Sequence, residues 1–322
     1  MAGPFDGLKG YEIHQEFRDF VDHLIKNGAN PFYTYKIADA RKAFHNICLT
    51  AAGTFKFDGQ VQEKKIPSPH CKDGIPVSVY IPNKLAAEPA ILVYFHGGGL
   101  CMFERKYYEP SLQMVAQEAG CIVVNSDYRL LPESPPMSPF DDGVVVVKDV
   151  VANKASYGGK AGSKVGVGGD SSGGQIAVSV TKDVPGVDYM VLLYIHTDLE
   201  LRQKSIKDFE SSPVLPHPDL QYFTKLVGDV LPNQATDPRV CPLARTDLKS
   251  MPPALFLQAE LDPLRDGGLE FAEKLKGAGV QVEKYVCKGV PHIFFGMTAI
   301  YKTKCAEAIG QIVKFIKKFQ KN

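Results

Sequence analysis

Tryptophan is absent from the 322 residues, as are any Asn-x-Ser/Thr sequon, any Cys-x-x-Cys pair and any apolar run long enough to span a membrane. The missing tryptophan decides nothing, but each of the other absences removes a class. The seven cysteines, at 48, 71, 101, 121, 241, 287 and 305, are odd in number and lack metal-ligand spacing, so neither a disulfide framework nor a zinc site is expected. No strong charge of either sign exists: 37 Lys plus Arg against 36 Asp plus Glu leave a formal +1, which favours neither nucleic acid nor an anionic membrane as partner. Met1 to Lys9 lacks the apolar core of a signal peptide, and with reduced thiols this predicts a cytoplasmic protein. Cofactor motifs are missing too. Gly166-x-Gly168 is followed by Ser171 where a dinucleotide fingerprint needs its third glycine, and no Lys follows Gly173 or Gly174 to make a phosphate loop.

What is present centres on Gly168-Gly169-Asp170-Ser171-Ser172-Gly173-Gly174, between the β-branched run from Val165 and the helical pattern from Gln175. This reads as strand, tight turn, helix. Gly169-x-Ser171-x-Gly173 fits a nucleophile elbow, in which side chains two places either side of the serine would collide as the strand turns into the helix. Centring the pattern on Ser172 would put Asp170 in one of those positions, so Ser171 is the candidate nucleophile. Ser172 is then the residue whose N–H opens the helix toward developing negative charge. A glycine-rich turn alone carries little weight, so the rest of the chain must supply partners.

Apolar residues recur at three- and four-residue steps from Tyr11 to Lys26 and from Ile37 to Ala52, predicting two amphipathic helices. Strands follow at Val61 to Ile66, Val77 to Ile81 and Ala90 to Phe95, the last continuous enough to be buried on both faces. It ends in His96-Gly97-Gly98-Gly99, whose backbone N–H groups are free to approach a ligand oxygen, the second half of an oxyanion hole. Further strands at Cys121 to Val124, Ser163 to Gly168, Tyr189 to Ile195, Ala254 to Gln258 and Val282 to Val286 alternate with helical patterns near Tyr107 to Gly120 and Asp141 to Tyr157. This alternation predicts a mostly parallel sheet of about eight strands with both faces covered. A last helix, from about Ala299 to Phe319, carries an apolar stripe that core docking and a homodimer explain equally.

The order and spacing of His-Gly-Gly-Gly at 96–99, Tyr128-Arg129-Leu130-x-Pro132-Glu133 and Gly169-Asp170-Ser171-x-Gly173-Gly174 resemble the hormone-sensitive-lipase-like branch of the α/β-hydrolases, which includes arylacetamide deacetylases and many bacterial esterases. The resemblance runs from about Val77 to the C-terminus. It implies one α/β-hydrolase domain over 1–322, with a helical cap drawn from about 1–54 and 200–231. Arg129 and Glu133 are expected to form a structural ion pair or a turn that braces the loop beneath the site.

A serine hydroxyl needs a base and a group to orient that base. Ala259-Glu260-Leu261-Asp262-Pro263-Leu264-Arg265-Asp266 follows one strand, and Gly289-Val290-Pro291-His292 follows the next, giving the chain order Ser171, Asp262, His292. The resemblance implies Asp262, rather than Glu260 or Asp266, as the acid. The other histidines, His196 among them, are expected on the surface or satisfied in the core. Two positions depart from the family: Ile293 stands where glycine commonly follows the histidine, and Ser172 stands where alanine is usual. The expected activity is hydrolysis of small to medium apolar acyl or aryl esters through an acyl-enzyme, with the N–H groups of Gly98, Gly99 and Ser172 as the oxyanion hole and no metal or organic cofactor. An amide hydrolase using the same triad, and a ligand-binding protein on the same scaffold, are the rival readings.

Overall fold

The computed structural model describes residues 3–321. Eight strands form one sheet: β1 Gly59–Ser68, β2 Cys71–Pro82, β3 Ile91–Phe95, β4 Ile122–Ser126, β5 Val165–Asp170, β6 Val187–Leu193, β7 Ala254–Ala259 and β8 Val282–Cys287. Their spatial order is β1-β2-β4-β3-β5-β6-β7-β8. The β1–β2 and β2–β4 pairs are antiparallel and the rest parallel. Every residue of β3, β4, β5 and β7 is buried, as expected of inner strands covered on both faces, whereas β1 at the sheet edge is mostly exposed or half-buried.

Nine α-helices accompany the sheet among the described residues: α1 Gln15–Lys26, α2 Ile37–Ala52, α3 Glu109–Ala119, α4 Ser138–Ala152, α5 Ser172–Asp183, α6 Lys204–Asp208, α7 His217–Gly228, α8 Arg265–Gly277 and α9 Lys302–Ile316. Their ends refine the sequence reading. The α1 helix begins at Gln15 rather than Tyr11 because the His14 ring accepts the Glu16 N–H at 3.3 Å and caps it. The α4 helix begins at Ser138-Pro139, a start signal that periodicity alone missed, and ends at Ala152, with Lys154–Tyr157 forming a separate 3₁₀ turn. The apolar stripe of α9 is buried within this one chain, through Ile309, Ile312, Phe315 and Ile316 among others, so core docking accounts for it.

The topology sets the site. Strand order reverses between β3 and β5, which lie side by side in parallel with Phe95 opposite Gly169. Their C-terminal ends therefore deliver the His96–Gly99 turn and the Ser171 turn to the same crevice, the switch point where open α/β sheets bind ligands. The N-terminal segment meets the 200–231 segment above it. The Tyr33 N–H donates to Asp219 at 3.0 Å, and Phe32 packs against Phe44 and Phe223 at ring-centroid distances of 4.3 and 5.3 Å.

Candidate active site

Only Ser171 separates β5 from α5, so it must turn the chain by itself. Its backbone lies at φ 52° and ψ −121°, outside the favoured regions for a side-chain-bearing residue. Such a conformation costs about 1–3 kcal/mol and persists only where its surroundings over-determine it. Those surroundings are explicit. The Ser171 N–H donates to the Leu193 carbonyl at 3.0 Å, and its own carbonyl accepts the N–H groups of Gly174 and His196, each at 3.2 Å. A Cβ on Gly173 would strike the Phe95 and His96 carbonyls, and one on Gly169 would strike Gly173 itself. The glycines thus have the steric task that the motif predicts.

Beside the elbow, Gly98 and Gly99 take φ values of 115° and 62°, and the loop closes through Cys101 and Met102 N–H bonds to the Gly98 carbonyl at 3.0 and 2.9 Å. Neither the Gly98 nor the Gly99 N–H has an acceptor among the described residues. Two bonds lock this loop to the elbow. Gly97 donates its N–H to Asp170 at 2.8 Å, and Leu100 donates its N–H to the Ser172 hydroxyl at 3.1 Å. Asp170 also accepts the hydroxyls of Tyr94 and Tyr108 at 3.0 and 2.9 Å, and burial pushes its carboxyl up to about 6. The sequence pointed to Asp170 only as a residue that excluded another register; the structure makes it the bracket between the two turns. Ser172, where the family usually has alanine, uses its hydroxyl for the same purpose.

The third and fourth contributions come from the ends of β7 and β8. His292 Nδ1 and Asp262 Oδ2 are 2.8 Å apart, both side chains being buried, and the other Asp262 oxygen accepts the Leu264 N–H at 2.8 Å. The rival acids lie elsewhere. Glu260 binds Lys288 and the Gly289 N–H, while Asp266 accepts the Ser205 N–H and the Arg265 guanidinium. Arg129 and Glu133 are structural, but each with a different partner. Arg129 clamps the buried Asp142 from two nitrogens at 2.8–3.1 Å, and Glu133 takes a two-pronged bond from Arg41 of α2 at 2.9 Å. Tyr128, which opens the motif just before Arg129, stacks on His96 and donates its hydroxyl to the His96 carbonyl at 2.8 Å, which supports the glycine loop from below.

Ser171, His292, Gly98, Gly99 and His196 line one small pocket of about 50 Å³, roofed by Phe223, Val214 and Leu215. His196 corrects the sequence reading. It is neither on the surface nor satisfied, since its Nε2 is buried without a partner among the described residues, and burial, with His292 nearby, pulls its pKa down to about 4. No spacing signal marked it; only the adjacency of β5 and β6 brings it to the serine. Among the described residues no cluster of His, Cys, Asp and Glu side chains suits a metal ion, and all seven cysteines are unpaired.

A family model described as alpha/beta hydrolase fold matches residues 92–296, more than half the chain, and spans both turns and the histidine. The chain belongs to the α/β-hydrolase family. Its motifs are those of the hormone-sensitive-lipase-like, carboxylesterase type. Among its relatives is the carboxylesterase NlhH of Mycobacterium tuberculosis, 32% identical over 251 residues, covering 76% of this chain and 78% of that one. An ethyl acetate hydrolase of Pseudomonas putida is 29% identical over 280 residues, covering 84% and 86%. Among solved hydrolase structures, an ester-hydrolase from the metagenome of Lake Arreo, complexed with a derivative of bipyridine phosphonate, superposes with a TM-score of 0.85 at 26% identity, over 95% of this chain and 98% of that one.

Proposed function

We propose that this hydrolase is a serine carboxylic ester hydrolase that works through an acyl-enzyme, with Ser171 as nucleophile, His292 as base and Asp262 as its orienting acid. The observation that carries the reading is the 2.8 Å contact between His292 Nδ1 and Asp262, made by a histidine that opens on the same pocket as Ser171. A carboxylate at Nδ1 holds the proton there and leaves the Nε2 lone pair for the serine hydroxyl.

His292 takes the Ser171 proton as the oxygen attacks the ester carbonyl, and Asp262 stabilises the imidazolium that forms. The oxyanion is met by the N–H groups of Gly98 and Gly99 and by that of Ser172, a donor with no partner within the first turn of α5. His292 then protonates the departing alcohol and later removes a proton from the water that releases the acid. The apolar walls of the pocket favour small to medium apolar acyl or aryl esters. The same reading puts the enzyme in the cytoplasm, in keeping with seven unpaired cysteines. No helix among the described residues is long and apolar enough to cross a membrane.

The test is hydrolysis of p-nitrophenyl esters from C2 to C12 with a fluorophosphonate label. Ser171→Ala is expected to lose labelling and on the order of 10⁶ in kcat, as is His292→Ala in kcat. Loss of less than tenfold for either removes that residue from the mechanism. Turnover of anilides matching or exceeding that of the corresponding esters would favour the amidase alternative.

A further inference from the structure

A second cavity, of about 260 Å³, lies under the N-terminal helices next to the 50 Å³ pocket of Ser171. Its walls are mostly apolar, with Val21 and Leu24 of α1 and Phe44 and Ile47 of α2 on one side and Pro213, Val214 and Leu215 on the other, and Asn30, Ser212 and Asp219 are its polar members. The two spaces adjoin and share five lining residues, Phe32, Phe103, Val214, Leu215 and Ile293, which stand at the boundary between them.

That boundary is built at the expense of backbone strain. Phe103, Leu215 and Ile293 stand at φ 72°, 56° and 63°, in the left-handed region that side-chain-bearing residues avoid, and they come from three separate segments. Ile293 is the most costly of them because its β-carbon is branched. It directly follows His292, at a place where the backbone suits glycine. A residue with no side chain there would relax the loop and open the boundary together. Strained positions that cluster around a ligand space indicate a constraint set by function rather than by folding.

We infer that Ile293 closes the catalytic pocket against a preformed apolar cavity and so sets the upper length of the ester chain the enzyme accepts. This inference rests on the esterase reading above. The wild-type enzyme is confined to short chains, and the cavity is a site for a longer aliphatic chain, reached when the boundary is cut back.

The experiment compares kcat/KM for p-nitrophenyl octanoate and p-nitrophenyl acetate, and in parallel for octyl and ethyl acetate, in wild type, Ile293→Gly and Leu215→Gly. The octyl-to-ethyl or octanoate-to-acetate ratio is expected to rise at least tenfold in Ile293→Gly. The series that responds identifies the alcohol or the acyl chain as the occupant. Leu215→Gly opens the boundary from the other side and serves if Ile293→Gly does not fold. Ala29 lines only the larger cavity, so Ala29→Phe added to Ile293→Gly is expected to bring the ratio back toward wild type. Ratios within threefold of wild type in both series, in variants that turn over the short esters, would overturn the inference and leave the esterase reading standing. A wild type that neither turns over esters nor labels at Ser171 would overturn both.

Discussion

The backbone N–H of Leu100 donates to the Ser172 hydroxyl at 3.1 Å, across 72 positions of sequence, and both residues are buried. The bond ties the glycine loop to the first residue of α5, so the oxyanion donors proposed on the two segments keep a fixed separation. Ser172→Ala preserves the residue's own N–H but leaves the Leu100 N–H buried and unpaired, which costs about 1–3 kcal/mol. The expected result is a lower unfolding midpoint in urea. A fall in kcat smaller than the roughly 10²-fold loss of an entire oxyanion donor should accompany it, with KM little changed. Unchanged stability and kcat together would mean that the loop holds its place without this bond.

Asp262 and Asp266 are four residues apart, yet only Asp262 touches His292. Asp262→Asn should lower kcat by about 10⁴, because an amide at Nδ1 allows the wrong imidazole tautomer. Asp266→Asn should leave kcat within a few-fold of wild type, since its carboxylate joins α6 to α8 instead. Steady-state kinetics on one short ester, normalised to fluorophosphonate-titrated sites, distinguishes the two. A large loss in Asp266→Asn alone would reverse the assignment.

Arg129 supplies a guanidinium to Asp142, whose side chain is almost wholly buried. Arg129→Ala strands that carboxylate, and removing one partner of a buried pair costs about 3–5 kcal/mol. Stability in urea should fall by an amount of that order while kcat per titrated site stays within a few-fold at a temperature where the variant is folded. A 10³-fold loss of kcat in folded protein would instead make Arg129 part of the chemistry.

Motifs whose chemistry is local were legible in the sequence. The spacing Gly169-x-Ser171-x-Gly173 marks the turn in the sequence, although the atoms a Cβ on Gly173 would strike, the Phe95 and His96 carbonyls, come from another strand end, and β3 announces itself by its continuous apolar run. Partners set by tertiary geometry were not legible. Arg129 and Glu133, four residues apart in one motif, each reach a helix elsewhere, Asp142 in α4 and Arg41 in α2. His196 enters the pocket only because β6 lies beside β5, and nothing in its neighbours along the chain marks it. Ile293 was visible as a departure from the family, but its meaning depends on a left-handed φ and two adjoining cavities, neither of which periodicity reports.

Asp219 joins the N-terminal segment to the 200–231 segment by accepting the Tyr33 N–H at 3.0 Å, and its burial pushes the carboxyl up from 3.8 to about 6. An acid whose pKa is raised on folding is protonated more readily in the folded state, so folding takes up a proton between about pH 4 and pH 6. Stability from this group is therefore full at low pH and lost as pH rises through about 6, where a buried carboxylate must form. Asp219→Asn keeps an oxygen for the Tyr33 N–H and carries no charge at any pH. The variant should thus be more stable than wild type at pH 8, by about 1–3 kcal/mol, with the difference shrinking through pH 6 and nearly gone by about pH 4. Urea unfolding of both proteins across this range measures it directly. Asp170 is also pushed up to about 6, but it is present in both proteins and cancels in the comparison. A difference that stays constant with pH would mean that Asn repacks the contact with Tyr33 by its shape, and that ionisation of Asp219 does not tune how firmly the two segments are held together.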